Sequence, residues 1–217
     1  ARDLSQRGIN CIGIPGTIDN DIACSEYTIG FDTAVNGVLT ELIKVRDTMV
    51  SHDRVGIIEV MGNKCGDIAL HAGVAGSADF ILLPEMEFNI DEICDQLIKN
   101  NIRNRKTSMI VLAEGAGKGA KLAEYIREQT KLEIKSVVLG YTQRGGSPCA
   151  YDRVLSTRFG AAAASLIREK NYGNMVGLVN GKIVPVPLSE VAGKLKTVPV
   201  DCEEILAARE IGISFGD

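Results

Sequence analysis

No apolar run in this sequence approaches the roughly 18 residues a membrane-spanning helix requires, which excludes that class of protein. The opening residues do not read as a signal peptide either. Six cysteines stand at 11, 24, 65, 94, 149 and 202 without a C-x-x-C pair or a Cys/His cluster. They read as small, reduced core residues of a cytosolic protein. A basic excess is missing: 24 Lys and Arg against 28 Asp and Glu leave a net charge of −4. The one basic cluster, Lys99, Arg103, Arg105 and Lys106, has no aromatic side chains interleaved for base stacking, so nucleic acid is not the expected main partner. Repeats and low-complexity tracts are absent as well.

What is there is ordinary globular material: 217 residues, 45% hydrophobic and 24% charged, enough for one large or two small domains. Short β-branched runs at 9–14, 54–60, 79–83, 107–114, 134–139 and 174–179 predict strands. Between them, helical periods fall at 28–50, 65–77, 90–100, 119–130, 149–170 and 201–209. The first repeats apolar residues at Ala34, Val38, Leu42, Val45 and Met49, one face of a helix. Such alternation predicts an α/β fold of doubly wound parallel sheets with helices on both faces. Ligands of these folds sit beyond the carboxyl ends of strands, where 17–21, 61–63, Glu114 and 141–144 all fall. Residues 1–8 read as the tail of a helix closed by Gly8, with no initiator Met, so the chain is expected to be a fragment.

The most informative stretch is Pro15-Gly16-Thr17-Ile18-Asp19-Asn20-Asp21. If extended, it points Thr17, Asp19 and Asp21 the same way, with the carboxylates about 6.6 Å apart. That spacing suits one carboxylate as a base and the other near a metal-bound phosphate. A solvated Asx turn is the plain alternative. Elsewhere, Gly115-Ala116-Gly117-Lys118-Gly119-Ala120 fits a dinucleotide fingerprint, but the only nearby acid, Glu133, precedes the next strand instead of ending it. Gly119 in place of Ser or Thr excludes a Walker loop. His52 and His71 have no partners for a triad and read as structural.

The 15–21 segment resembles the active-site signature of the bacterial phosphofructokinases. Agreement continues through residues 27–34, 59–62, 65–67, 143–148 and 151–153, in family order. The resemblance implies two Rossmann-like domains, the first incomplete: 1–30 with 148–197 on the nucleotide side, and 31–147 with 198–217 on the sugar-phosphate and effector side. It implies transfer of the γ-phosphoryl group of ATP, with Mg2+, to the 1-hydroxyl of fructose 6-phosphate in glycolysis. The enzyme would be a cytoplasmic homo-oligomer, a tetramer in the family. Asp19 would be the base, Thr17 would hold substrate, and Asp21 would act on the metal through water.

Arg54, Met61, Gly62, Asn63, Glu114, Lys135, Tyr141 and Arg144 would contact the sugar phosphate, with Arg54 reaching into a neighbouring subunit. Arg46, Asp79, Arg103, Arg105 and Lys106 would bind an allosteric effector, a nucleotide such as ADP or phosphoenolpyruvate. Gly16 resembles the ATP-using members, because pyrophosphate users carry lysine there. Three positions depart from the family pattern. Asn63 replaces an arginine facing the transferred phosphoryl group, with Lys64 beside it as a substitute charge; Lys135 replaces an arginine; Tyr141 replaces a histidine. The family's glycine-rich nucleotide segments and main magnesium ligand have no counterpart here, so the chain alone is expected to be inactive. Two other readings are a non-catalytic sugar-phosphate- or nucleotide-binding regulatory polypeptide and a pyrophosphate-dependent kinase.

Overall fold

A computed structural model describes all 217 residues. In chain order the elements are α1 (Arg2–Gln6), β1 (Ile12–Gly13), α2 (Phe31–Ser51), β2 (Val55–Val60), α3 (Asp67–Ala75), β3 (Phe80–Leu82), α4 (Ile90–Ile102) and β4 (Ser108–Ala113). Then follow α5 (Gly119–Thr130), β5 (Ile134–Val138), a 3-10 turn (Gly140–Arg144), α6 (Ala150–Arg168), β6 (Asn174–Val179), β7 (Lys182–Pro187), α7 (Leu188–Val191) and α8 (Glu203–Glu210). The chain divides into two compact units, residues 1–33 with 147–196 and residues 34–146 with 197–217. No helix is long and apolar enough to cross a membrane.

The second unit is built on a four-stranded parallel sheet of order β3-β4-β2-β5. Its central strands β2 and β4 are buried along their whole length. Unbroken apolar runs such as Met109-Ile110-Val111-Leu112 make that possible, because both faces must be covered. On one face Ile57, Ile110 and Leu112 pack with Ile93 and Leu97 of α4 and Leu122 and Ile126 of α5. The next residues along, Ile58 and Val111, point to the opposite face, where α3 lies against β3, β4 and α8. In α2, Val38 and Leu42 are fully buried, each contributing about 1.5–3 kcal/mol of burial. Asn89 accepts the Asp91 N–H at 3.0 Å and so starts α4, whereas Lys131 in the left-handed region stops α5.

The first unit differs from the all-parallel expectation. Its sheet, of order β1-β6-β7, pairs β1 with β6 in parallel but β6 with β7 antiparallel. Asn180 and Gly181, with φ of 49° and 71°, form the two-residue loop between Val179 and Lys182 that this hairpin needs. α6 covers the sheet through Leu155, Phe159, Ala163 and Leu166 against Val176 and Leu178. β1 is confined to two residues of the strand expected at 9–14. The cysteines correct a further expectation: only Cys65 and Cys94 are buried, and Cys24 is exposed.

Candidate functional site

Thr17–Asp21 is not extended. Ile18 and Asp19 form a turn and Asn20 is left-handed, with φ 54°. The cause lies outside the motif: buried Asn20 donates to the Glu26 carbonyl at 3.1 Å and accepts the Thr28 N–H at 3.0 Å. The Thr28 hydroxyl in turn donates to the Thr17 carbonyl at 2.6 Å. The turn folds the Thr17 side chain onto Asp19, accepting the Asp19 N–H at 3.3 Å and donating to its carboxylate at 3.4 Å. The regular alternation that gave a strand-like carboxylate spacing therefore does not hold. Asp21 is half-buried, its carbonyl accepting the Lys196 N–H at 2.9 Å.

At the carboxyl end of the parallel sheet, β2 runs out through Met61 into Gly62, at φ 141°, and left-handed Asn63. A Cβ on Gly62 would lie 2.4 Å from the Cys65 carbonyl, so glycine is required there. Glu114, at the end of β4, accepts the Asn63 N–H at 3.0 Å. The Met61 N–H is held at 3.0 Å by the side chain of Gln143, from the 3-10 turn. Next along that turn, exposed Arg144 places its guanidinium 5.5 Å from the ring of Tyr141, which is also exposed. Met61, Gly62, Asn63, Glu114, Tyr141 and Arg144 thus gather at one edge, with a carboxylate and a guanidinium among them.

Arg54 and Lys135 are not with them. Arg54 precedes β2 and Lys135 is the second residue of β5, so both lie toward the amino end of the same sheet. There they share Glu133, at 2.8 Å from Arg54 and 3.8 Å from Lys135. The hydrogen bond from Arg54, reinforced by both positive charges, holds the Glu133 carboxyl below its ordinary range. The effector candidates also precede their strands. Asp79 accepts from Arg105 and from the Met109 N–H, Arg46 binds the Gly76 and Ser77 carbonyls, and Lys106 pairs with Asp53 at 3.0 Å. Arg103, the residue after α4, is exposed and joins none of these contacts.

The helix following Gly115–Lys118 has its first amide already taken. Buried Glu59 of β2 accepts the Gly119 N–H at 2.8 Å and the Lys118 ammonium at 3.0 Å, where a dinucleotide pyrophosphate would otherwise lie. The bond to Glu59 raises the Lys118 pKa.

Ser147 and Pro148 lie just outside α6. The helix begins at Ala150 after Cys149, and Ser147 accepts from Arg153 at 3.0 Å. Four residues that sequence reasoning passed over hold these loops: Asn20, Glu59, Gln143 and Asp152. Each is a polar side chain that the fold buries.

A doubly wound α/β protein whose polar groups collect beyond the carboxyl ends of parallel strands binds ligands there. Residues 1–167 match the family model described as Phosphofructokinase. The sequence is 47% identical over 190 residues to a Clostridium botulinum protein named ATP-dependent 6-phosphofructokinase, covering 88% of this chain and 60% of that protein. A Clostridium novyi protein of the same name is 48% identical over the same shares. The fold superposes with a TM-score of 0.77 on Saccharomyces cerevisiae phosphofructokinase, at 34% identity, covering 84% of this chain and 26% of that one. A pyrophosphate-dependent phosphofructokinase from Marinobacter aquaeolei gives 0.82 at 24% identity, covering 98% and 63%, a likeness of fold alone. This chain belongs to the phosphofructokinase family. It spans about 60% of the length of the curated relatives it matches.

Proposed function

We propose that the chain forms the base-carrying and sugar-phosphate-binding part of an ATP-dependent 6-phosphofructokinase. The reading rests on the constellation at the carboxyl edge of the parallel sheet: Glu114 fixed to Asn63, Met61 fixed to Gln143, and Arg144 on the same turn. Arg144 takes the 6-phosphate, and Glu114 accepts from sugar hydroxyls. Asp19 removes the proton of the 1-hydroxyl as it attacks the γ-phosphorus, while the neighbouring Thr17 hydroxyl holds the substrate. Phosphoryl transfer depends on positioning and charge neutralisation more than on covalent chemistry, so this set suffices for the sugar side. Residues 1–30 with 148–197 would belong to the nucleotide side, and 31–147 with 198–217 to the sugar and effector side.

Asn63 puts no cation on the transferring group, and the exposed Lys64 beside it is the replacement. No group of three or more His, Cys, Asp or Glu is arranged to hold a metal ion. Magnesium, which the family uses with ATP, would be held chiefly by the nucleotide phosphates, with Asp21 reaching it through water. The protein would work in the cytoplasm as a homo-oligomer, tetrameric as in the family, with the Arg46, Asp79, Arg103, Arg105 and Lys106 region facing a phosphate-bearing effector.

Substituting this chain for the matching segment of the Clostridium botulinum relative tests the reading. The chimera should convert fructose 6-phosphate to the bisphosphate with ATP, and Asp19→Asn should reduce turnover at least about a thousandfold. Full activity in Asp19→Asn would refute the assignment of the base, whereas an unsubstituted chimera that binds fructose 6-phosphate without turning it over would favour a regulatory polypeptide.

A further inference from the structure

Gln143 sits between exposed Thr142 and exposed Arg144, yet is only 4% exposed itself. Both ends of its amide are used. The oxygen accepts the Met61 N–H at 3.0 Å, and the nitrogen donates to the Gly140 carbonyl at 2.9 Å. These partners fix the amide's orientation, since one is a donor and the other an acceptor. Met61 is the first residue beyond β2, past the last rungs of the ladders that pair Val60 with Ala113 and Glu59 with Val138. The next strand over, β5, has by then ended and turned through Leu139 into the 3-10 turn, whose first residue, Gly140, is at φ 53°. Gln143 thus supplies the bond a strand neighbour would have supplied, and ties the turn back to itself at the same time.

We infer that Gln143 is a positioning residue for sugar-phosphate recognition. It sets the spacing between the Met61–Asn63 segment and Arg144, the two sides of the candidate site, without touching the ligand. This inference rests on the proposed function above. Glutamate at 143 keeps an acceptor for Met61, but as a carboxylate it cannot donate and faces the Gly140 carbonyl. Methionine of similar length orphans both partners, and a buried unpaired group is costly. Protonated glutamate restores the original pattern, with the carbonyl oxygen accepting and the O–H donating.

The test uses the 15N-labelled 217-residue chain as wild type, Gln143→Glu and Gln143→Met, titrated with fructose 6-phosphate. At pH 8 both variants should bind at least about tenfold more weakly, with the Met61 amide resonance displaced and the remaining amides still dispersed. On acidification the ratio of Kd for Gln143→Glu to that of wild type should fall back toward one. The Gln143→Met ratio should stay high. Taking the ratio removes the titration of the sugar phosphate itself, near pH 6. Unchanged affinity in both variants overturns the inference, whether or not the Met61 amide moves, as does a Gln143→Glu defect that acid does not relieve. Failure of the wild-type chain to bind fructose 6-phosphate overturns the proposed function, and the inference with it.

Discussion

Replacing Asp152 by alanine removes a carboxylate that is 1% exposed and caps a helix from a distance. One oxygen accepts the Gly30 N–H at 2.9 Å, and the other accepts the Thr33 N–H at 2.9 Å together with the Thr33 hydroxyl. The Thr33 hydroxyl also accepts the Cys149 N–H at 3.1 Å, so the starts of α2 and α6 cap each other. Alanine orphans two backbone donors near the start of α2. At about 1–3 kcal/mol for each buried unsatisfied group, the expected loss is about 2–6 kcal/mol. Asparagine retains one acceptor for two donors that approach different oxygens, so Asp152→Asn should lose about half as much. Urea unfolding followed by tyrosine emission is a suitable assay. The chain has no tryptophan, and Tyr27 and Tyr151 lie 5.1 Å apart beside this junction. Hydrogen exchange at Gly30 and Thr33 adds a local readout. A loss below about 0.5 kcal/mol in Asp152→Ala, the range of an ordinary surface substitution, would refute the reasoning. So would an asparagine variant as damaged as alanine.

Gly115→Ala places a Cβ 2.3 Å from the Asn63 carbonyl, whereas nothing lies within 4 Å of one on Gly117. The first should destabilise by about 1–3 kcal/mol and weaken fructose 6-phosphate binding, and Gly117→Ala should do neither by calorimetry. Glu59→Leu leaves the buried Gly119 N–H unpaired and should cost about 1–3 kcal/mol in urea unfolding, with Glu59→Gln milder. His71 titrates above its ordinary value: burial alone would lower it, but the hydrogen bond and charge of Asp67, and the charge of Glu204, outweigh that. A raised folded pKa means its stabilisation is complete below pH about 6.5 and disappears as pH rises through the folded value. Unfolding midpoints should therefore decline as pH rises above about 6.5 in the wild type, and this dependence should flatten in His71→Gln.

Where packing alone decides, the sequence was readable. The runs of β2, β4 and β6 and the period of α5 correspond to observed elements because burial on both faces, or on one stripe, dictates composition. β7 was missed because Pro185 and Pro187 argue against a strand, yet they are tolerated at the edge of the sheet. The Asn180-Gly181 pair was the available signal. The turn at Ile18–Asp19 was legible from its own residues only as the alternative to an extended segment, and what fixes it lies beyond them, since Asn20 is held by Glu26 and Thr28. Gln143 and Asp152 find partners 82 and 122 residues away, distances at which no local pattern operates.

One division was available from sequence and has the largest consequence. Strands of a parallel sheet all run the same way, so residues before strands and residues after them occupy opposite ends of the sheet. Arg54 and Met61 are seven residues apart across β2, about 23 Å at the rise of an extended chain. Side chains at these two ends cannot grip the same sugar phosphate within one copy. If Arg54 serves such a site, the site belongs to a second copy of the chain, and sites are shared across a two-fold interface. Arg54→Ala and Arg144→Ala chains, each defective alone, should then complement when mixed. Random pairing makes half the dimers mixed, each with one intact site, so binding should return to about a quarter of the sites. No recovery in a mixture shown to exchange subunits would confine Arg54 to its pairing with Glu133, at 2.8 Å within its own sheet.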